Sequence, residues 1–468
     1  MRRIAAGPLR QKLLLLGLGP LALLAASGCQ GDDPFRVVTL QTEGEDPSDE
    51  GYFTLNFFPH VFVPAEEGDP VRIPLRFSDQ IAVDMEDDGA WLPILASDGD
   101  TLVFDPEGAL VQLNGTPVYL DLGDTGSWEW LGHATPEEKQ SLRLVMVRDS
   151  LTPTHDALLE DLASHNPTLH LYTDERDLLG PLLSHFNPEG LGVIDMPISD
   201  ELALFLSQEP ELRSLIVSGY QLPSLAFLSQ ISGLEQLTIG DWDPEKTGPL
   251  PGSLSNLKSL VLIETDLANL AALGERPGLE ELTIWECSGD EESGQLDVRG
   301  ISNLPNLRFL SFRDCGVADL SPLAQLPDLE WLVLPPGLTQ PQLESVVDLR
   351  PNLIFLELFE SEEITDLTPL THLTKLQGLL IGSGAPPEPL FEMDHLQYLA
   401  IMEDEGSGSF ESGVVTQLKA ELPTTTVGRV EPFCLGSGLI LLLIPLTWMF
   451  LAFLGLWKGK RLSTARHD

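Results

Sequence analysis

The chain has 468 residues, of which 72 are acidic and 26 basic, for a formal net charge of −46. Eight of the basic residues stand at the two ends (Arg2, Arg3, Arg10, Lys12, Lys458, Lys460, Arg461 and Arg466), so the stretch between them is more acidic still. A surface of that sign repels a phosphate backbone and excludes nucleic acid as an expected partner.

In chain order, residues 1–28 have the layout of a signal peptide: basic residues, an apolar run from Leu13 to Leu24, then small residues. The ending Ala26-Ser27-Gly28-Cys29 resembles a bacterial lipobox, which implies lipid attachment at Cys29. It departs from that motif in carrying Ala26 where Leu is usual. Residues 29–51 are polar and acidic and read as a tether. Residues 52–134 hold short β-branched and aromatic runs broken by Gly, Pro and Asp, a small β-rich module. Asn114-Gly115 is its hairpin-turn signal.

Residues 135–211 change to alternating helix and strand patterns. Thr135-Pro136-Glu137-Glu138 predicts a helix N-terminus, because a threonine cap, a proline at the first position and early acids each suit unsatisfied N–H groups. Thr154–Ala163 with Leu169–Leu171, and Asp174–Ser184 with Leu191–Ile194, read as degenerate repeats that cap an open end.

Residues 212–430 carry the strongest signal. The frame Leu-x-x-Leu-x-Leu starts at Leu212, Leu234, Leu257, Leu279, Leu307, Leu329, Leu353, Leu376 and Leu396, a period close to 22. One such unit cannot bury its own apolar face, so the copies must stack. Val317–Leu329 and Ile364–Leu376 resemble the 22-residue class of bacterial leucine-rich repeats, internalin-like in spacing. The resemblance implies an α/β fold class: a leucine-rich-repeat solenoid with a parallel concave sheet and short 3₁₀ or irregular convex segments. In that family the ninth position holds Asn or Cys; here only Cys287 and Cys315 match, and both a buried thiol pair and a disulfide fit their spacing.

Strand side chains alternate faces, so the outward positions follow from the frame. Phe309, Trp331 and Phe355 occupy one outward position on three successive coils, flanked by Trp285 and Phe359 and rimmed by Arg313, Glu357 and other charges. This set is expected to bind a protein partner, or a glycan. The alternative is that the N-terminal module, or a loop, folds over the rings and makes them core.

Residues 435–457 are uncharged and long enough, as a helix, to span a bilayer, and residues 458–468 form a basic tail expected on the cytoplasmic side. A sorting tail cleaved after export, beginning near Cys434, is the other reading of this end. The expected placement is therefore a cell membrane, with the bulk of the chain periplasmic or at the cell surface. No nucleophile elbow, phosphate loop or dinucleotide glycine pattern occurs, and His155, His165, His170 and His185 match no metal template. No cofactor and no catalysis are expected. The functional expectation is a membrane-anchored envelope protein that takes a partner on its concave face, against a passive structural or adhesive component without a discrete site.

Overall fold

The computed structural model describes strands within residues 35–95 and the chain from 99 to 430, apart from 105–109, 148–150, 194–203, 207–211, 218–223, 290–293, 403–409 and some shorter gaps. The N-terminal part is β structure: β1 (Phe35–Thr42), β2 (Tyr52–Phe57), β3 (Val61–Glu66), β4 (Pro70–Pro74), β5 (Gln80–Ile81), β6 (Ile94–Leu95), β7 (Thr101–Phe104), β8 (Leu110–Leu113) and β9 (Thr116–Pro117). Five of them form a sheet in the order β4-β1-β7-β8-β9. β1 pairs antiparallel with β4 and parallel with β7, so a segment expected to be tether supplies an inner strand. β2 and β3 make a separate antiparallel hairpin. The turn at Asn114-Gly115 has φ of 55° and 73°, the two left-handed values that a tight hairpin turn needs.

The described residues from 119 to 430 form one solenoid. Its strands are β10 (Tyr119–Asp121), β11 (Leu144–Met146), β12 (His170–Thr173), β13 (Gly190–Val193), β14 (Ser214–Val217), β15 (Gln236–Gly240), β16 (Ser259–Thr265), β17 (Glu281–Cys287), β18 (Phe309–Arg313), β19 (Trp331–Val333), β20 (Phe355–Leu358), β21 (Gly378–Ile381), β22 (Tyr398–Met402) and β23 (Thr426–Val430). These 14 strands form a single sheet in strict sequence order, every neighbouring pair parallel. That order follows from the repeat, because each coil can bury its leucines only against the coil before and the coil after. Leu237, Leu260 and Leu310 all point into the core and are buried. β10 belongs to this sheet, so the solenoid begins inside the stretch expected to be the separate module.

Much of the convex side is built from short 3₁₀ turns, for instance Ser321–Gln325 and Thr368–His372. Each starts at Ser-Pro or Thr-Pro, and the preceding acid closes the turn: Asp319 Oδ1 accepts from Ser321 N at 2.9 Å and Asp366 Oδ1 from Thr368 N at 2.8 Å. A full helix, Gln340–Leu349, fits in the 24-residue step between Leu329 and Leu353. Adjacent convex turns approach backbone to backbone at Gly300, where a Cβ would lie 2.4 Å from Ala271 N. Buried Arg276 takes a place that is apolar in most coils, and it pairs its guanidinium with the carbonyls of Leu273 and Leu250 at 3.0 and 2.9 Å.

Helices flank the sheet at both ends. Thr135 starts the helix Pro136–Ser141 with reciprocal bonds: its N–H donates to Glu138 Oε2 at 2.7 Å and its Oγ1 accepts from Glu138 N at 3.2 Å. Helices Pro153–His165 and Arg176–His185 cover the opening coils, and Val414–Glu421 precedes the last strand.

The membrane expectation is corrected. Among the described residues no helix is long and apolar enough to cross a membrane. The longest described helix, Pro153–His165, has 13 residues, or about 20 Å at roughly 1.5 Å per residue, short of a bilayer core of about 30 Å. An uncharged run is a fact of composition, whereas a span requires a continuous helical backbone, and no described segment supplies one. Residues 1–28, Cys29, 435–457 and 458–468 lie outside the described residues. The transmembrane, signal and lipoprotein readings, the membrane partner and the membrane localisation are therefore withdrawn.

Candidate functional site: the concave face

Register brings the predicted residues together. Phe309, Trp331, Phe355, Gly378 and Tyr398 are direct partners along β18 to β22 and form one row across the sheet. The Phe309 and Trp331 ring centroids are 5.3 Å apart at 57°, and those of Trp331 and Phe355 4.1 Å apart at 31°. These are tilted ring contacts of the kind that add to area burial. The row next to it reads Ser311, Val333, Glu357, Leu380 and Ala400.

Outward position does not mean exposure here. Phe309 is 0%, Trp331 3%, Phe355 1% and Tyr398 0% exposed, and Glu357 in the adjacent row is 1% exposed. The expectation of solvent-facing rings is thus corrected for Phe309, Trp331 and Phe355; the atoms that bury them belong to this same chain. Phe359 lies outside the described residues.

Glu357 is the unusual group. Burial pushes its carboxyl up to about 8, against the pull of the Arg313 guanidinium, whose Nη1 stands 3.9 Å from Glu357 Oε1. Glu357 Oε2 has no hydrogen-bond partner, and neither do the buried Ser311 Oγ and Trp331 Nε1 nearby. Three orphan polar atoms on one face are uncommon, since each has lost its water without return.

The margin of the face is different. Trp285 is half-buried and donates from Nε1 to Asp314 Oδ2 at 3.1 Å; the Arg313 guanidinium carbon lies 6.0 Å from its ring centroid. Arg313 also stands 3.7 Å from Asp314 Oδ2. Of the expected site residues, Trp285 and Arg313 are therefore the ones that keep access to solvent.

Sequence reasoning missed a second row beside this margin. Asp241, Glu264, Glu286 and Asp314 occupy one position on four successive coils, all left-handed with φ of 54°, 50°, 54° and 51°. Their backbone positions follow the strand spacing of about 4.8 Å. Burial, then the charges of Glu264 and Asp314, hold the Glu286 carboxyl above its usual range. The signal was available: an acid directly precedes the ninth position in each of these coils.

That ninth position is core in five coils, whereas Gly337 there is exposed. Trp242, Thr265, Cys287, Cys315 and Ser361 are all buried there. Both cysteines are free; Cys287 N donates to Cys315 Sγ at 3.2 Å. The hydrogen bond with Cys287, and burial, push the Cys315 thiol up. The clustered histidines serve local structure: His155 stacks on Trp128 at 4.1 Å, His185 Nε2 pairs with Asp156 at 2.9 Å, and burial lowers His170 to about 4. Among the described residues no group of His, Cys, Asp and Glu could hold a metal ion.

Fourteen parallel strands over buried leucine rows, with 3₁₀ turns behind them, define a leucine-rich-repeat solenoid. Among solved structures the chain is similar to an internalin from Listeria monocytogenes, at 18% identity and a TM-score of 0.40 over 65% of this chain and 94% of that one. It is also similar to internalin C2 of that species (21%, TM-score 0.29, 38% and 73%). A third is a leucine-rich-repeat protein of Leptospira interrogans (14%, TM-score 0.30, 66% and 99%). Likenesses of this level carry no argument about function. No family model and no curated protein matches the chain.

Proposed function

We propose that this chain is a structural or adhesive leucine-rich-repeat scaffold that makes contact through its extended acidic surface rather than through a discrete aromatic cleft. The burial of Phe309, Trp331 and Phe355 carries this reading. A side chain already removed from water has no apolar area left to contribute to a partner, so the hot spot expected there is spent inside the chain. What remains outside is charge, a net −46 that attracts basic proteins over about 8–10 Å at ordinary salt.

Retention on an immobilised lysine-rich polypeptide, measured while Glu264→Gln, Glu286→Gln and Asp314→Asn are introduced singly, tests it. Small losses of roughly equal size, all weakened by salt, are expected; one substitution that abolishes retention would refute the dispersed reading. A second reading has one observation in its favour, the half-buried Trp285 with Arg313 and Asp314 at the open margin. A protein partner docked there would make Trp285→Ala cost at least tenfold in retention, where the leading reading expects less than twofold.

A further inference from the structure

We propose that the concave face is occupied by this chain's own β2–β3 hairpin, an intramolecular partner that a competing segment can displace. An outward row on a parallel ribbon has its coil on the other side only, so its side chains lose water only when something lies over them. Phe309, Trp331, Phe355, Tyr398, Glu357 and Ser311 have all lost it.

The N-terminal β structure is in the right place to do this. β3 lies against β23, the last strand of the solenoid sheet, and β8 lies against β10, the first. The hairpin therefore lies against the strand that pairs with β22, which carries Tyr398 at the end of the covered row. The hairpin also needs a surface. Its two strands pair with each other and belong to neither larger sheet. A lone two-stranded hairpin is at best marginally stable in water. Its sequence, Tyr52-Phe53-Thr54-Leu55-Asn56-Phe57 and Val61-Phe62-Val63, is rich in apolar residues that suit an aromatic row.

Occupancy by the hairpin is imperfect in a specific way. Glu357 Oε2, Ser311 Oγ and Trp331 Nε1 are buried beneath the cover without partners. An extended segment that brought a donor to Glu357 and an acceptor to Trp331 Nε1 would satisfy what the hairpin leaves unpaired, and so could compete for the face. This inference is independent of what the acidic surface adheres to.

The test uses the full chain with Phe62 replaced by the photo-crosslinker benzoylphenylalanine, irradiated and mapped by mass spectrometry. Adducts to peptides from β20 to β23 are expected. A mixture of isotopically heavy and light chains should show them within one chain. Adducts confined to residues 35–113, or only between chains, would overturn the proposal. Phe62→Asp supplies a second reading: hydroxyl-radical oxidation of Trp331 and Phe355 should rise at least fivefold while the melt stays cooperative, and unchanged oxidation in a folded variant would overturn it as well. If the variant fails to fold, the cross-link map decides alone.

Discussion

Two parts of one sheet face carry aromatic rings at outward positions, and they behave in opposite ways. At the margin, Trp285 keeps part of its surface in solvent and holds Asp314 through its indole N–H. Two rows across, Phe309, Trp331 and Phe355 are closed off and touch ring to ring. The strand pattern is the same in both. The difference lies in what comes from elsewhere in the chain, so an outward-facing aromatic on a solenoid is evidence of a contact surface but not of whether that contact is internal or external.

The largest expected effect comes from breaking the closed row. Trp331→Ala or Phe355→Ala should each cost about 3–5 kcal/mol, the range for truncating a buried aromatic, read as a lowered denaturation midpoint. A loss of partner contact with no loss of stability would mean that the row is open.

Glu357→Gln should give the next largest effect, and it should depend on pH. Its folded carboxyl titrates at about 8 against an ordinary 4.5, so between those values the native state holds a proton that the unfolded chain releases. Wild-type stability should therefore fall as pH rises through that window and level off above it. The variant should not share this loss, and the gap between the two should open to a few kcal/mol, since each tenfold change in proton affinity is worth about 1.4 kcal/mol. Parallel stability curves from pH 4 to 9 would place Glu357 in water. Arg313, Asp314 and Tyr398 are the charged and titratable groups coupled to it; since Arg313 holds the Glu357 carboxyl down, the decline measured on Arg313→Ala should keep its slope but continue to higher pH.

The smallest effects belong to the open margin and the thiol pair. Trp285→Ala should change stability by less than about 1 kcal/mol, because part of the ring is already in water. Cys287 and Cys315 should resist alkylation in the native protein and react fully once it is unfolded, since both are buried in the core. Rapid native labelling would show that their coils open.

The solenoid was legible because its period is set by local packing: a leucine at a fixed offset must meet the leucine of the next coil, as Leu237 meets Leu260. Local chemistry was legible for the same reason at Thr135 and Asn114-Gly115, where cap and turn are decided within a few residues. β1 was not, because Phe35–Thr42 becomes a strand only by pairing with β4 and β7, far along the chain. The cover over Trp331 was open to either reading for a related reason, since burial of an outward row depends on a distant segment. The left-handed acids at Asp241, Glu264, Glu286 and Asp314 went unseen because residue type alone does not announce positive φ for Glu. The apolar run at 435–457 lies outside the described residues.

Hydroxyl-radical footprinting of the unaltered full-length chain tests the central claim most directly, because it reads Trp285 and Trp331 in the same sample. The covered-face account predicts that Trp285 is oxidised several times faster than Trp331, with Phe309 and Phe355 protected alongside Trp331. Equal oxidation of Trp285 and Trp331 would contradict it and return the aromatic row to solvent.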